Sequence, residues 1–359
     1  MWVNKMNNKK IVMIGFIDPG GIGNAYSYGV NKYTENEMRV VTFHETRGFD
    51  SDISLNRELW GGLNLCNPEI LNKEFYNLID WADIVIVNLA LSPGAGNPET
   101  KFDDSSFSIN NISFPEILQQ KGKRVFGFFF GSTCLRSNYT FYIKICKSRG
   151  WDIITCQPDI HYNVTKRGLK CHYIPILLND EHPRYRNSLF DFVSSNKFNP
   201  ENIYISHSPT DRRIKNTDVL INTIKKVNES IGQQRVYLNL VENCGFNDSV
   251  FLKKQSYIGF DQMQQDGYYC LSSIENMALG LVNIVSLNQY AIDMITQDIG
   301  KMPPSWEIVN NENELNQCIA DLYKNRNLLY GKMYNNYQFA RNEWSLKNNI
   351  HKFVEAICE

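Results

Sequence analysis

Six short apolar runs in the first half of the chain are hydrophobic at nearly every position: Lys10–Phe16, Met38–His44, Asp83–Leu89, Arg124–Phe130, Asp152–Cys156 and Cys171–Ile176. A strand with one wet face alternates apolar and polar residues. A strand covered on both faces does not, and such strands belong to parallel sheets with helices on either side. Helical spacing fills the gaps at Gly21–Lys32, Ile70–Trp81, Phe114–Gln120 and Ser137–Arg149. Strand and helix in alternation, joined by right-handed crossovers, predict a doubly wound α/β sheet.

The pattern pauses in the polar, proline-marked stretch Pro175–Pro200 and then begins again. New strands are expected at Ile203–His207, Arg235–Val241, Tyr257–Phe260, Leu281–Ser286 and Ser305–Val309. Between and after them lie helical patterns at Lys215–Ser230, Val250–Gln255, Cys270–Leu279, Ala291–Gln297 and Glu312–Asn325. Two amphipathic stretches, Leu329–Arg341 and Ser345–Cys358, close the chain. At 359 residues the chain is long enough for two domains of ~100–200 residues each. Both halves read as Rossmann-like units, which bind ligands beyond the carboxyl ends of their strands.

Composition narrows the function classes. A hydrophobic fraction of 43%, with 20 Phe, 19 Tyr and 6 Trp, supplies two cores and excludes a disordered chain. The 37 basic and 38 acidic side chains leave a net charge of −1, unlike the basic footprint of a dedicated nucleic-acid binder. That balance does not exclude an enzyme that touches nucleic acid through one local patch. No apolar run approaches the ~18–20 residues that span a bilayer, and the polar opening MWVNKMNNKK has no secretory core. A cytoplasmic setting is expected, or a peripheral one at the inner membrane face. The nine cysteines are scattered without a CxxC pair, so they read as free thiols and not as a zinc or disulfide framework.

Three segments could carry chemistry. Strand one runs into Asp18-Pro19-Gly20-Gly21-Ile22-Gly23-Asn24, a glycine-rich turn opening a helix, where backbone N–H groups and the helix dipole favour an anion. It is not the G-x-G-x-x-G fingerprint of dinucleotide dehydrogenases. The run His207-Ser208-Pro209-Thr210-Asp211-Arg212-Arg213-Ile214-Lys215-Asn216-Thr217 sets guanidinium, ammonium and hydroxyl groups at a helix N-terminus. Cations are unfavourable there unless an anion joins them, and Arg with Lys suits a diphosphate. A charged cap with Thr210 or Asp211 as N-cap is the plainer alternative. In the third segment, Phe260-Asp261-Gln262 to Gly267-Tyr268-Tyr269-Cys270-Leu271, a strand ends in a polar loop and a helix opens near Gly267, with Glu275 two turns further in. A carboxylate can accept both hydroxyls of a ribose.

In this order and spacing the segments resemble the GT-B glycosyltransferases, in particular the retaining group-1 type that uses nucleotide-activated sugars. His207 to Thr217 is similar to the family's H-[SA]-P-[ST]-x-R-x-x-K-G-T, with Asn216 at the glycine. Asp261 to Gly280 resembles D-Q-x(4)-G-[WY]-Y-G-x-x-A-x-E-A-M-A-x-G, with Cys270 at a common glycine. The Glu-x7-Glu form of that motif has its first carboxylate where this chain has Gly267. Phe130-Gly131-Ser132-Thr133-Cys134-Leu135-Arg136 loosely resembles H-G-S-x-x-R, without the imidazole. Ala340 to Ser345 resembles the terminal segment, where a helix crosses back to the N-terminal domain.

The resemblance implies a fold of two facing Rossmann-like domains: an acceptor domain over residues 1–175, a nucleotide-sugar domain over 176–335, and a crossover helix over 336–359. It implies that Arg212 and Lys215, with Ser208, Thr210 and the backbone of Tyr268, Tyr269, Cys270 and Leu271, hold the donor diphosphate. Glu275 would bind the nucleotide ribose. Gly20 and Gly21 would approach the sugar or its phosphate, and Ser132 and Arg136 would lie on the acceptor side. No metal and no cofactor beyond the nucleotide-sugar donor are implied. His44, Asp103 and Asp104 are the candidates for catalytic groups at the right end of the first sheet. The acceptor is expected to be a hydroxyl of a glycan or lipid-linked glycan. A hydroxymethylated DNA base is the alternative, with Lys121, Lys123, Arg124, Lys166, Arg167 and Lys170 as its basic patch. A non-catalytic nucleotide-sugar binder is a further alternative.

Overall fold

The computed structural model describes residues 8–15, 21–42, 53–54, 77–88, 108–109, 112–113, 118–130, 139–192, 200–263 and 267–358. The chain forms two compact units, Met1–Ile174 with Asn349–Glu359, and Pro175–Asn348.

In the first unit the described elements are β1 (Lys10–Gly15), α1 (Ile22–Tyr33), β2 (Glu37–Thr42), β3 (Ile53–Ser54) and β4 (Ile84–Asn88). They continue as β5 (Ser108–Ile109), β6 (Ile112–Ser113), β7 (Arg124–Phe129), α2 (Tyr139–Arg149), β8 (Asp152–Thr155), α3 (Pro158–Thr165) and β9 (Cys171–Tyr173). Seven strands pair in parallel in the order β3-β2-β1-β4-β7-β8-β9, while β5 and β6 pair antiparallel by themselves. Strands β1 and β7 bury every residue after their first, as their unbroken apolar runs require. The sequence pattern predicts no helix at Pro158–Thr165, yet α3 forms there. Its proline sits in the first turn, where the missing N–H costs nothing and the fixed φ suits a helix. The expected strand Cys171–Ile176 stops at Tyr173: the Ile174 amide still donates to the Thr155 carbonyl (2.9 Å), and Pro175 has no N–H with which to continue.

The second unit contains α4 (Leu189–Phe192), β10 (Ile203–His207), α5 (Thr217–Ile231), β11 (Val236–Leu240), α6 (Phe246–Lys253), β12 (Ile258–Phe260) and α7 (Leu271–Ala278). It continues with β13 (Val282–Val285), α8 (Gln289–Ile299), β14 (Trp306–Ile308), α9 (Glu312–Lys324) and α10 (Leu329–Asn342). Its sheet is parallel throughout, in the order β11-β10-β12-β13-β14. All four residues of β13 are buried, which marks a strand covered on both faces.

A last helix, α11 (Leu346–Cys358), leaves the second unit and ends in the first. Residues 336–348 stay with the second because their polar groups are anchored there. Asn336 donates to the Leu281 carbonyl (2.7 Å), Arg341 donates to the carbonyls of Ala278 (3.0 Å) and Tyr185 (2.9 Å), and the Trp344 indole donates to that of Ile176 (2.9 Å). Trp344 also packs against Tyr269 and Trp306, with ring centroids 5.8 and 6.0 Å away. From Asn349 onward the helix counts with the first unit, where the fully buried Phe353 lies 4.7 Å from the Tyr26 ring.

That aromatic contact fixes the return of the chain. Phe353→Ala leaves a cavity beside Tyr26 and is expected to cost about 3–5 kcal/mol of the first unit's stability. Chemical denaturation followed by Trp and Tyr fluorescence reads this as a lower midpoint.

Candidate functional site

The carboxyl ends of β10, β11 and β12 gather a cluster of charged residues, Asp211, Arg212, Arg213, Lys215, Glu242 and Asp261. After β10 the chain enters a turn in place of the expected start of a helix at Lys215. Asp211 accepts from the Arg213 amide (2.9 Å), and the Lys215 and Thr217 amides donate to the carbonyls of Asp211 and Arg212 (3.0 Å each). Helix α5 then begins at Thr217, behind Asn216 in the left-handed region (φ 56°, ψ 38°). This is the position the family motif gives to glycine. Asn is the side chain that tolerates left-handed backbone best, so the exchange preserves the turn.

Lys215 is nearly buried, 12% exposed, against a fully buried Asp261. Its ammonium donates to Asp261 Oδ1 (3.0 Å) and Gln262 Oε1 (2.7 Å). Burial alone would lower its pKa, but the charge of Asp261, and then Cys270, outweighs burial and holds it well above the usual range. Burial works to raise Asp261. The ammonium, the Ser273 hydroxyl and the Cys270 amide prevail and hold it below the ordinary carboxylate value.

Asp261 also sets where α7 begins. Its Oδ2 accepts from the Cys270 amide (2.8 Å) and the Ser273 hydroxyl (2.6 Å), so the helix opens at Leu271 and not near Gly267 as the sequence suggests. Of the amides between Tyr268 and Leu271 expected to face a diphosphate, that of Cys270 is thus held by the protein. Tyr268 and Tyr269 are buried, and the Tyr268 carbonyl accepts from Gln262 (2.7 Å).

Arg212 is half exposed and grips Glu242, which follows β11, through Nε (2.8 Å) and Nη2 (2.5 Å). Arg213 pairs with Asp211 (3.3 Å). Three cations therefore face three carboxylates within the protein itself, and the unbalanced positive charge that the sequence suggests is compensated. Ser208 lies 3.4 Å from the Ser272 hydroxyl, and Thr210 is exposed.

His207 is buried at the end of β10. Its Nδ1 meets the Phe260 carbonyl (3.0 Å) and its Nε2 the Thr217 hydroxyl (2.9 Å). A carbonyl only accepts, so Nδ1 carries the proton and Nε2 accepts from Thr217. Burial, opposed in part by the Phe260 carbonyl and Asp261, pushes its pKa down to about 4.

Glu275 is buried, not exposed on its helix, and pairs with Lys253 at the end of α6; the two side chains are 8% and 1% exposed. Lys253 also donates to the Ser272 hydroxyl (3.3 Å). The sequence offers little notice of Lys253, which lies 22 residues before its partner. Asp261 and Gln262 stand inside the quoted motif, and their role becomes legible only with the Lys215 contact. At Gly267 a Cβ would fall 2.5 Å from Ser286 Oγ and 2.6–2.7 Å from the backbone of Ser286 and Leu287. The first carboxylate of a Glu-x7-Glu pair has no room there.

In the first unit, Gly21 caps α1 with φ 71°, a value that favours glycine. Gly20, His44, Asp103, Asp104, Ser132 and Arg136 lie outside the described residues. The basic candidates Lys121, Lys123, Arg124, Lys166, Arg167 and Lys170 gather at the amino ends of β7, β8 and β9. There Lys121 pairs with Asp80, Lys170 with Asp152 (3.0 Å), and Lys123 donates to the Ala82 carbonyl (2.6 Å). They sit at the end of the sheet opposite to the one where open α/β sheets bind ligands.

Solved structures of similar fold align over nearly the whole chain. Anabaena HepE in complex with UDP and glucose is 10% identical, with a TM-score of 0.59 over 97% of this chain and 99% of its own. An alpha-glucosyltransferase in complex with UDP and a 13-mer DNA containing a HMU base is 12% identical, with a TM-score of 0.58 over 98% and 100%. The chain has the GT-B fold. A glycosyltransferase from Rickettsia africae aligns over 98% of both chains at 14% identity and a TM-score of 0.54. No protein-family model matches the sequence, and no curated sequence does either. Within this GT-B chain, no helix among the described residues is long and apolar enough to cross a membrane.

Two outcomes follow from the packing. Gly267→Ala should destabilise the second unit by about 1–3 kcal/mol, because the Ser286–Leu287 backbone must shift to admit the methyl; thermal denaturation measures it. The His207 pKa lies below its unfolded value of 6.5, so the unfolded chain takes up the proton first as pH falls. The neutral imidazole's stability is complete above pH 6.5, and about 3 kcal/mol of it is lost on the way down to pH 4. His207→Asn retains a donor to Phe260 and should flatten that part of the stability–pH curve in urea titrations.

Proposed function

We propose that the chain transfers a sugar from a nucleotide-diphosphate donor to a hydroxyl acceptor, with retention and without a metal. The observation that carries this is the pair Lys215 and Arg212 at the carboxyl edge of the second sheet, in a fold whose solved neighbours include proteins in complex with UDP. Lys215 is a fixed ammonium, braced by Asp261 and Gln262 before any ligand arrives. Arg212 is the mobile partner, able to leave Glu242 for a phosphate and offer the same two-pronged geometry. Together they would counter the charge that develops on the leaving nucleotide. Glu275 and the opening turn of α7 complete the nucleotide side.

The acceptor in this reading is a hydroxyl of a glycan or lipid-linked glycan. A hydroxymethylated DNA base is the second reading, favoured by the full-length likeness to the alpha-glucosyltransferase in complex with DNA. Incubating the protein and a labelled donor with glycan acceptors or with hydroxymethylated duplex separates the two by which product carries label.

A thermal-shift and calorimetric screen of UDP-, GDP-, ADP- and CMP-sugars should identify one stabilising donor. Arg212→Ala, at an exposed site, should fold normally and weaken that donor about tenfold to a hundredfold, the worth of a lost charged contact. Lys215→Ala strands the buried Asp261 and costs about 3–5 kcal/mol of stability, so its binding effect is best read in Lys215→Met/Asp261→Asn. EDTA should leave turnover unchanged. Donor that binds but is never cleaved, with every acceptor supplied, would leave a nucleotide-sugar binder in place of the enzyme.

A further inference from the structure

Lys253 has no place in the phosphate motif, yet it is among the most deeply buried charged groups of the second unit. Its side chain is 1% exposed at the end of α6, and its ammonium contacts Glu275 of α7 and the Ser272 hydroxyl (3.3 Å). Ser272 in turn lies 3.4 Å from the hydroxyl of Ser208, the residue that follows β10. A buried ammonium is costly unless its partner is close and well oriented, and taking that partner away is costlier still. The cluster Glu275–Lys253–Ser272–Ser208 therefore ties α6, α7 and the turn after β10 at the carboxyl edge of the sheet.

We infer that Lys253 is a positioning residue for nucleotide recognition, holding Glu275 so that its carboxylate accepts from the vicinal hydroxyls of a ribose. This rests on the nucleotide-sugar reading above. A carboxylate swings freely about its last two torsions, and only a fixed one presents both oxygens to a diol at one geometry. Lys253 engages Oε2, which fixes the plane of the group from the protein side. The cations proposed for the phosphates, by contrast, are Lys215 and Arg212, whose side-chain partners are Asp261, Gln262, Cys270 and Glu242. Loss of the Lys253 ammonium should thus remove discrimination for the sugar hydroxyls and spare affinity for the phosphates. A general loosening of the fold would weaken both.

Calorimetry with UDP, GDP and ADP, their 2′,3′-dideoxy analogues and inorganic pyrophosphate tests this on the full chain. Wild type should prefer the ribose form of its nucleotide about tenfold over the dideoxy form, the worth of charge-assisted hydrogen bonds to the carboxylate. Lys253→Met should abolish that preference and leave pyrophosphate affinity within about twofold of wild type. Since Lys253→Met leaves Glu275 uncompensated, Ser272→Ala serves as a milder variant that removes one of the ammonium's contacts; it should reduce the preference in part. A folded Lys253→Met, or Ser272→Ala where Lys253→Met does not fold, that keeps the full ribose preference overturns the role of Lys253 while the donor site stands. A wild-type protein that binds none of the nucleoside diphosphates overturns both.

Discussion

Lys215 and Asp261 are joined inside the second unit, and much of the surrounding backbone is set by that one pair. Neither charge can be withdrawn from the other without leaving an ion in a dry site, a loss of several kcal/mol. Asp261 also holds the first turn of α7 through the Cys270 amide and the Ser273 hydroxyl. The turn before α5, the end of β12 and the start of α7 are therefore tied together through Asp261. Asn216 belongs to the same arrangement, since its left-handed backbone brings Lys215 out of the helix and inward toward Asp261. The site is built on strand ends and helix starts, which are stiffer supports than a free loop.

Against this fixed pair, Arg212 is a different instrument. It is half exposed, and the carboxylate that holds it, Glu242, is near the surface as well. An exposed ion pair of this kind contributes about 0–1 kcal/mol, so its exchange for a phosphate costs little. In the proposed donor reading, anion capture would be divided between a buried cation held by Asp261 and a half-exposed one held by Glu242. The near-zero net charge of the chain is reproduced at the site: Arg212, Arg213 and Lys215 are each matched by a carboxylate. In that reading, specificity for the donor's phosphates would rest on geometry and not on excess charge, since each of these three cations is paired with a carboxylate.

The periodicity of the sequence was enough for the two α/β units because strands covered on both faces leave unbroken apolar runs, as β1, β7 and β13 do. It failed where backbone chemistry decided: at Pro158, which starts a helix, at Pro175, which ends a strand, and at Gly267, which a side-chain-free close approach requires and which opens no helix. The motif residues Arg212, Lys215 and Glu275 were legible from their spacing. Their partners were not. Glu242, Asp261 and Lys253 are brought to them from other strands and helices at separations of 22 to 46 residues, and no local pattern encodes such pairings.

Those partners also limit what the second unit can do chemically. A general base needs a lone pair free to reach substrate. His207 is neutral, with Nδ1–H given to Phe260 and Nε2 receiving the Thr217 hydroxyl. Asp261 is held by an ammonium, an amide and a hydroxyl, whereas Glu275, oriented by Lys253 through Oε2, would in the proposed reading accept from ribose hydroxyls. The first carboxylate of a Glu-x7-Glu pair is sterically excluded at Gly267. His207, Asp261 and Glu275 are thus each held by protein partners, and in the proposed reading what these described groups offer a reaction is oriented charge. In the proposed reading, these three groups and Lys215 would act by holding and stabilising a departing nucleotide, through preorganised electrostatics.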